Sequence, residues 1–167
     1  MKEAKDIDNS LEFLRSFEKN ANDTDLGELV LQRLDRHNKS LNLQGNRFTE
    51  NDFKQLFSME PLKYLKSIDL SETSMASNSL GHLCTCKWLE NIESISLSNN
   101  NLDDEGIFIL SKSTNLPRLT TLDLSSNEIG ALGGKVLALS KSLNKVNSLN
   151  LSYNRIESFG IHSLANS

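Results

Sequence analysis

The feature that most constrains this chain is a periodicity. Residues 38–48 read NKSLNLQGNRF, residues 65–75 LKSIDLSETSM, residues 92–102 IESISLSNNNL, residues 119–129 LTTLDLSSNEI and residues 146–156 VNSLNLSYNRI. All five fit the pattern L-x-x-L-x-L-x-x-N-x-L. Its second apolar position, at Leu41, Ile68, Ile95, Leu122 and Leu149, advances by 27 residues each time. Four equal steps exclude coincidence. A period of this size means one supersecondary unit repeated along the chain, which buries its apolar face only by stacking on its neighbours.

The remainder of the period has helical spacing. Leu56, Leu83, Leu110, Leu137 and Leu164 keep the same step, as do Leu62, Leu89, Leu116 and Leu143. Apolar residues such as Phe53, Leu56 and Phe57 recur at i, i+3 and i+4. Thr49 and Asp103 are placed to cap helix starts, because a short side-chain oxygen accepts from a free amide. The glycine-rich stretch 130–134 weakens the helix start of its own unit. Each unit therefore reads as strand, turn, helix and return loop. Strands of a parallel sheet lie ~4.8 Å apart, while packed helices need ~8–10 Å. The stack must curve, with strands inside and helices outside.

These motifs resemble those of leucine-rich repeat proteins of the ribonuclease-inhibitor-like class, whose repeats carry a helix on the convex side. The resemblance spans residues 38–167, about three quarters of the chain. It implies an α/β leucine-rich repeat solenoid, divided as 38–64, 65–91, 92–118, 119–145 and 146–167. The typical repeat of that class is slightly longer, so trimmed convex helices are expected. The family is mostly one of protein binders.

Residues 1–37 fall outside the repeat and read as a helical cap. Amphipathic runs cover 10–19 and 25–36, and Leu29 stands 27 residues before Leu56, where a preceding repeat would place its helix. The segment carries nine acidic and six basic residues, most of the net charge of −4. At the other end the fifth repeat stops at Ser167. A longer natural chain, a short sufficient helix or a docked partner would each account for the open edge.

Composition narrows the function. Leu, Asn and Ser together exceed 40 % of the 167 residues. A sequence pI near 5.4 without a basic cluster disfavours nucleic acid. No run approaches the ~18 apolar residues of a spanning helix, and the first residues lack a secretory core. Two cysteines build no disulfide framework, so a reducing compartment such as the cytoplasm is expected. His82, Cys84 and Cys86 are too few for a zinc tetrahedron, and no cofactor motif occurs. Trp88, the single tryptophan, reads as packing over a return loop.

The residues at the turns are read in columns. Asn46, Asn100, Asn127 and Asn154 share a position where a buried amide satisfies backbone groups. Thr73 replaces the amide in the second repeat, and a looser or water-filled turn is expected there. On the strands Asn42, Asp69, Ser96, Asp123 and Asn150 face outward among columns of serine. Asp69 and Asp123 lie ~10 Å apart by strand spacing, near the separation of an inverting glycosidase pair. No cleft accompanies them, so no catalytic site is assigned.

The rim beyond the strands varies more. It holds Gly45, Glu72, Asn99, Ser126 and Tyr153, then Arg47, Ser74, Asn101, Glu128 and Arg155. Tyr and Arg are enriched in binding hot spots. The candidate protein-binding residues are therefore Arg47, Asp69, Glu72, Asn99, Asp123, Glu128, Asn150, Tyr153 and Arg155. The expectation is a non-enzymatic protein-interaction module using the concave sheet and its rim, monomeric, with the open C-terminal repeat a possible contact. Two alternatives stand beside it: a bacterial effector acting on host proteins, and an activator of a small GTPase using an exposed arginine.

Overall fold

The structure, a computed structural model, describes Arg15 and residues 25–166. Apart from Arg15, the amphipathic run expected over 10–19 lies outside the described residues. Helix α1 (Asp25–Arg33) leads into β1 (Leu34–Asp35). Then follow β2 (Ser40–Asn42), α2 (Glu50–Ser58), a 3-10 turn (Glu60–Tyr64), β3 (Ser67–Asp69) and α3 (Ser77–Thr85). The rest is β4 (Ser94–Ser96), α4 (Asp104–Ser111), β5 (Thr121–Asp123), α5 (Ala131–Ala138), β6 (Ser148–Asn150) and α6 (Glu157–Ala165). The strands form one sheet in chain order. From β2 to β6 they are parallel, and Leu41, Ile68, Ile95, Leu122 and Leu149 stand in register. The sequence alignment and the physical register coincide. No helix among the described residues is long and apolar enough to cross a membrane.

The core lies between sheet and helices. Leu43, Leu70, Leu97 and Leu124 are fully buried, as are Leu56, Leu83 and Leu110. Helix α1 adds Leu26 and Val30 to the same core. The short strand β1 pairs antiparallel with β2, Leu34 opposite Leu41 and Asp35 opposite Ser40. Sequence periodicity misses this strand because two residues carry no pattern.

The helix starts connect neighbouring units. Thr49 and Asp52 form a capping box on α2. Asp103 caps α4 through the amides of Glu105 and Gly106, both at 3.1 Å, and accepts from Ser77 Oγ of the preceding unit at 2.6 Å. These contacts hold its carboxyl below the usual Asp value, the Ser77 hydroxyl most of all.

The expectation of a weak start for α5 needs correction. Gly130 offers no side-chain cap of its own. Asp104, from the unit before, reaches over and accepts from Gly130 N at 2.6 Å and Gly133 N at 2.9 Å. A Cβ on Gly133 would come within 2.5 Å of that carboxylate. The glycines make room for a cap supplied by the neighbour.

Thr73 also corrects an expectation. It is fully buried and donates to Leu70 O at 2.7 Å, so its turn is tight. Elsewhere the Asn amide reaches back one repeat, from Asn100 to Leu70 O, Asn127 to Leu97 O and Asn154 to Leu124 O. Its oxygen accepts from the amides of Met75, Leu102 and Ile129. At the first junction the shorter threonine leaves that role to the backbone, and Phe48 N donates to Thr73 O at 3.2 Å.

Candidate protein-binding surface

The turn that ends each strand is fixed from the strand itself. Asp123 Oδ1 accepts from Ser125 N at 2.8 Å and from Ser125 Oγ at 2.6 Å. Asp69 holds Ser71 in the same way, Asn150 holds Ser152 and Asn42 holds Gln44. Burial opposes the charge of Asp123, yet bonds from Ser125 and from Asn150 keep its carboxyl below the usual Asp value. A carboxylate engaged in this way is a poor general acid.

The serine columns also bond to one another. Ser71 Oγ meets Ser96 Oγ at 2.8 Å, and Ser98 Oγ meets Ser125 Oγ at 3.0 Å. Asn150 donates to Asp123 Oδ2 at 3.1 Å. Much of the polar inventory of the inner face is thus satisfied within the sheet.

The rim differs. Gly45, Glu72, Asn99, Ser126 and Tyr153 all adopt positive φ, between 53° and 76°. Glycine takes this conformation readily and asparagine tolerates it, whereas a bulky residue such as tyrosine does so rarely. Sequence spacing identified the column but not its backbone state. Glu72, Asn99 and Tyr153 project into solvent, and Tyr153 is 85 % exposed. Arg47, Glu128 and Arg155 are exposed two positions later.

The structure sorts the candidate residues into groups. Asp69 and Asp123 are half-buried below the rim, and Asn150 bonds to Asp123 at its outer end. Glu72 pairs with Gln44 across repeats at 3.0 Å, a contact that sequence reasoning missed. Glu128 and Arg155 line one hollow of about 430 Å³ with Asp103, Asp104, Glu105 and Glu157. The charge run 103–105 was the visible signal for that acidic wall. Arg47 stands in the first repeat, four strand spacings or ~19 Å from Arg155 along the sheet.

The family described as Leucine Rich repeat matches residues 89–110, 115–138 and 142–165. The fold is a leucine-rich repeat solenoid. No curated protein sequence matches it significantly. Among solved structures, leiomodin-1 actin-binding site 2 is 18 % identical, with a TM-score of 0.62, over 93 % of this chain and 84 % of that one. The tropomodulin C-terminal domain of Caenorhabditis elegans is 14 % identical, with a TM-score of 0.59, over 86 % of this chain and 90 % of that one. At these identities the likeness is one of fold.

Other chemistry in this solenoid is confined. Burial pushes the Cys84 thiol up to about 12, and Cys86 is raised for the same reason. Thiols held in that form are weak nucleophiles and weak ligands. His82 faces Glu50 at 3.8 Å. Trp88 packs against the core beneath Lys87, whose Nζ lies 4.4 Å from the ring centroid.

Proposed function

We propose that this solenoid is a non-enzymatic binding module that engages a protein partner through its loop rim. The observation that carries this reading is the positive-φ column. Five successive turns hold the same left-handed backbone at one position, and four of them carry different side chains there, Glu72, Asn99, Ser126 and Tyr153. Arg47, Glu72, Asn99, Glu128, Tyr153 and Arg155 are the contact residues in this reading. Asp69, Asp123 and Asn150 hold the turns from below. A rim fixed in advance loses little conformational freedom on binding, and Tyr153 with Arg155 supplies its anchor.

Site-specific photo-cross-linking tests the reading. A cross-linker at position 99 or 128 is expected to trap a protein that one at Leu132, exposed on the convex side, does not. The Tyr153→Ala/Arg155→Ala variant should lose it. Equal trapping from both faces would reject the rim. Actin is the first named protein to try, since a structural neighbour bears an actin-binding title. Delivery into a host cell and activation of a small GTPase are narrower readings. GTP hydrolysis that accelerates with the protein, and fails on changing Arg47, Arg118 or Arg155, would favour the second.

A further inference from the structure

The solvent side of α4 and α5 departs from that of the repeats before it. Phe108 is 54 % exposed and Leu139 71 %. In the two preceding repeats the position of Phe108 holds Gly81 and Lys54. The position of Leu139 holds Lys112, Thr85 and Ser58 in the three preceding ones. Stacking is therefore satisfied by small or polar residues at both places. Helix α5 turns Gly133, Gly134 and Leu137 to the core. Leu132, Val136 and Leu139 stand on its outer side, so it is apolar on both faces. An ordinary surface helix keeps that side polar, and one that is apolar all round is normally covered.

A hollow of about 440 Å³ lies between the two helices, lined by Phe108, Lys112, Val136, Leu139 and Lys141. It is not at an end of the stack, since α3 packs on α4 and α6 on α5. Charge identifies what fits there. Residues 106–122 and 129–147 carry five cations, Lys112, Arg118, Lys135, Lys141 and Lys145, and no carboxylate, in a chain of net charge −4. Lys112, Lys135 and Lys141 are exposed, and none pairs with a carboxylate among the described residues. Lys112 Nζ lies 5.3 Å from the ring centroid of Phe108, and Lys135 Nζ 5.5 Å from that of Phe159. An ammonium group has three donors, and a ring face occupies one side of it. The other side is left for an anion.

We propose that this convex groove docks an acidic amphipathic helix of a protein partner. The apolar stripe of that helix fills the hollow between Phe108, Val136 and Leu139. Carboxylates beside the stripe pair with Lys112, Lys135 and Lys141. Apolar anchors one turn apart, set into a groove, are the usual mode of helix recognition. A flat anionic bilayer fits less well, because Glu105 stands one turn before Phe108 on the same side of α4. The contact lies across the molecule from the rim and does not rest on the rim reading.

A display library tests the groove. Its members are amphipathic helices with a fixed apolar stripe and flanking positions varied among Glu, Gln and Lys. Panning on the 167-residue chain is expected to enrich Glu beside the stripe. Binding of the enriched peptides, read by fluorescence anisotropy, should weaken by about tenfold or more in Phe108→Lys/Leu139→Thr. These changes introduce the residue types that Lys54 and Thr85 already supply in the same columns. An unchanged circular dichroism spectrum and melting curve separate lost binding from unfolding. Lys112→Glu/Lys141→Glu should reverse the preference, towards peptides flanked by Lys. The rim variant Tyr153→Ala/Arg155→Ala should bind as the wild type does. Absence of enrichment, enrichment without a preference for Glu, binding indifferent to Phe108→Lys/Leu139→Thr, or binding lost in the rim variant would each overturn the proposal. So would sedimentation with phosphatidylserine vesicles that Phe108→Lys/Leu139→Thr abolishes, which assigns the face to lipid. A dimer abolished by the same variant would assign it to a second copy and overturn the proposal as well.

Discussion

Ser40–Asn42 and Ser148–Asn150 are the same tripeptide at opposite ends of one sheet. Leu41 is 1 % exposed and Leu149 is 39 % exposed. Nothing in the three letters distinguishes them. Strand β2 has β1 and α1 on its free side, whereas β6 has only β5 beside it and α6 behind. In a solenoid the burial of a repeat belongs to its neighbours. The largest expected effect follows directly. Leu41→Ala should cost about 2–5 kcal/mol, the usual range for a filled core site. Leu149→Ala should cost less than about 1 kcal/mol, because much of its surface is already wet. Urea melts of the two variants at low protein concentration read the difference. Equal losses would mean that the last strand is covered in solution.

The helical layer shows a related contrast. A Cβ at Gly134 would stand 2.7 Å from Ile156 Cγ2 and 3.0 Å from Gly160 Cα. Close approach of α5 and α6 through these glycines docks the last helix although its strand is exposed. Gly81, inside α3, is surrounded by open space, and a Cβ there would meet nothing within 4 Å. Gly134→Ala should therefore destabilise by about 1–3 kcal/mol, as overpacking does. Gly81→Ala should stabilise by about 0.5–1 kcal/mol, since it removes a helix-interior glycine without strain. Opposite signs in thermal melts are the expected outcome. Equal signs would show that the last helix is not held by that close contact.

The sequence made the register of β2 to β6 legible because apolar burial and hydrogen-bond pairing share one 27-residue step. Caps contained within a unit, at Thr49 and Asp103, were legible for the same reason. What escaped depends on two units at once. Asp104 caps the next helix, Asn100 serves the turn before its own, and Phe48 N finds Thr73 O across the first junction. Such contacts have no signature within one repeat. The candidate rim was legible as a variable column. Its positive φ was not, because only Gly45 and Asn99 are residue types that favour it. Asp69 and Asp123 were legible as outward-facing column residues, but their bonds to Ser71 and Ser125 were not, because these depend on the shape of the turn beyond the strand.

The smallest effect expected is specific to the first end. Asp35 closes the hairpin between β1 and β2. Its Oδ1 accepts from His37 N at 2.9 Å and Asn38 N at 3.1 Å, and its Oδ2 accepts from Asn38 Nδ2 at 2.7 Å. These bonds, the Asn38 amide foremost, hold its carboxyl below the usual Asp value. A carboxylate whose folded value is depressed contributes its full stabilisation above the unfolded value, about 3.9. That contribution fades as the pH falls through the folded value. Acid should therefore loosen the β1–β2 hairpin below about pH 4, and the Ser148–Asn150 strand, which has no carboxylate of its own, should respond less. Amide shifts of His37 and Asn38 followed over an acid titration read this directly. Their common midpoint should lie below the ordinary Asp value, and Asp35→Ala should abolish it. A midpoint at the ordinary value would mean that the carboxylate does not close the turn, and that the first end owes its burial to α1 and the pairing of β1 alone.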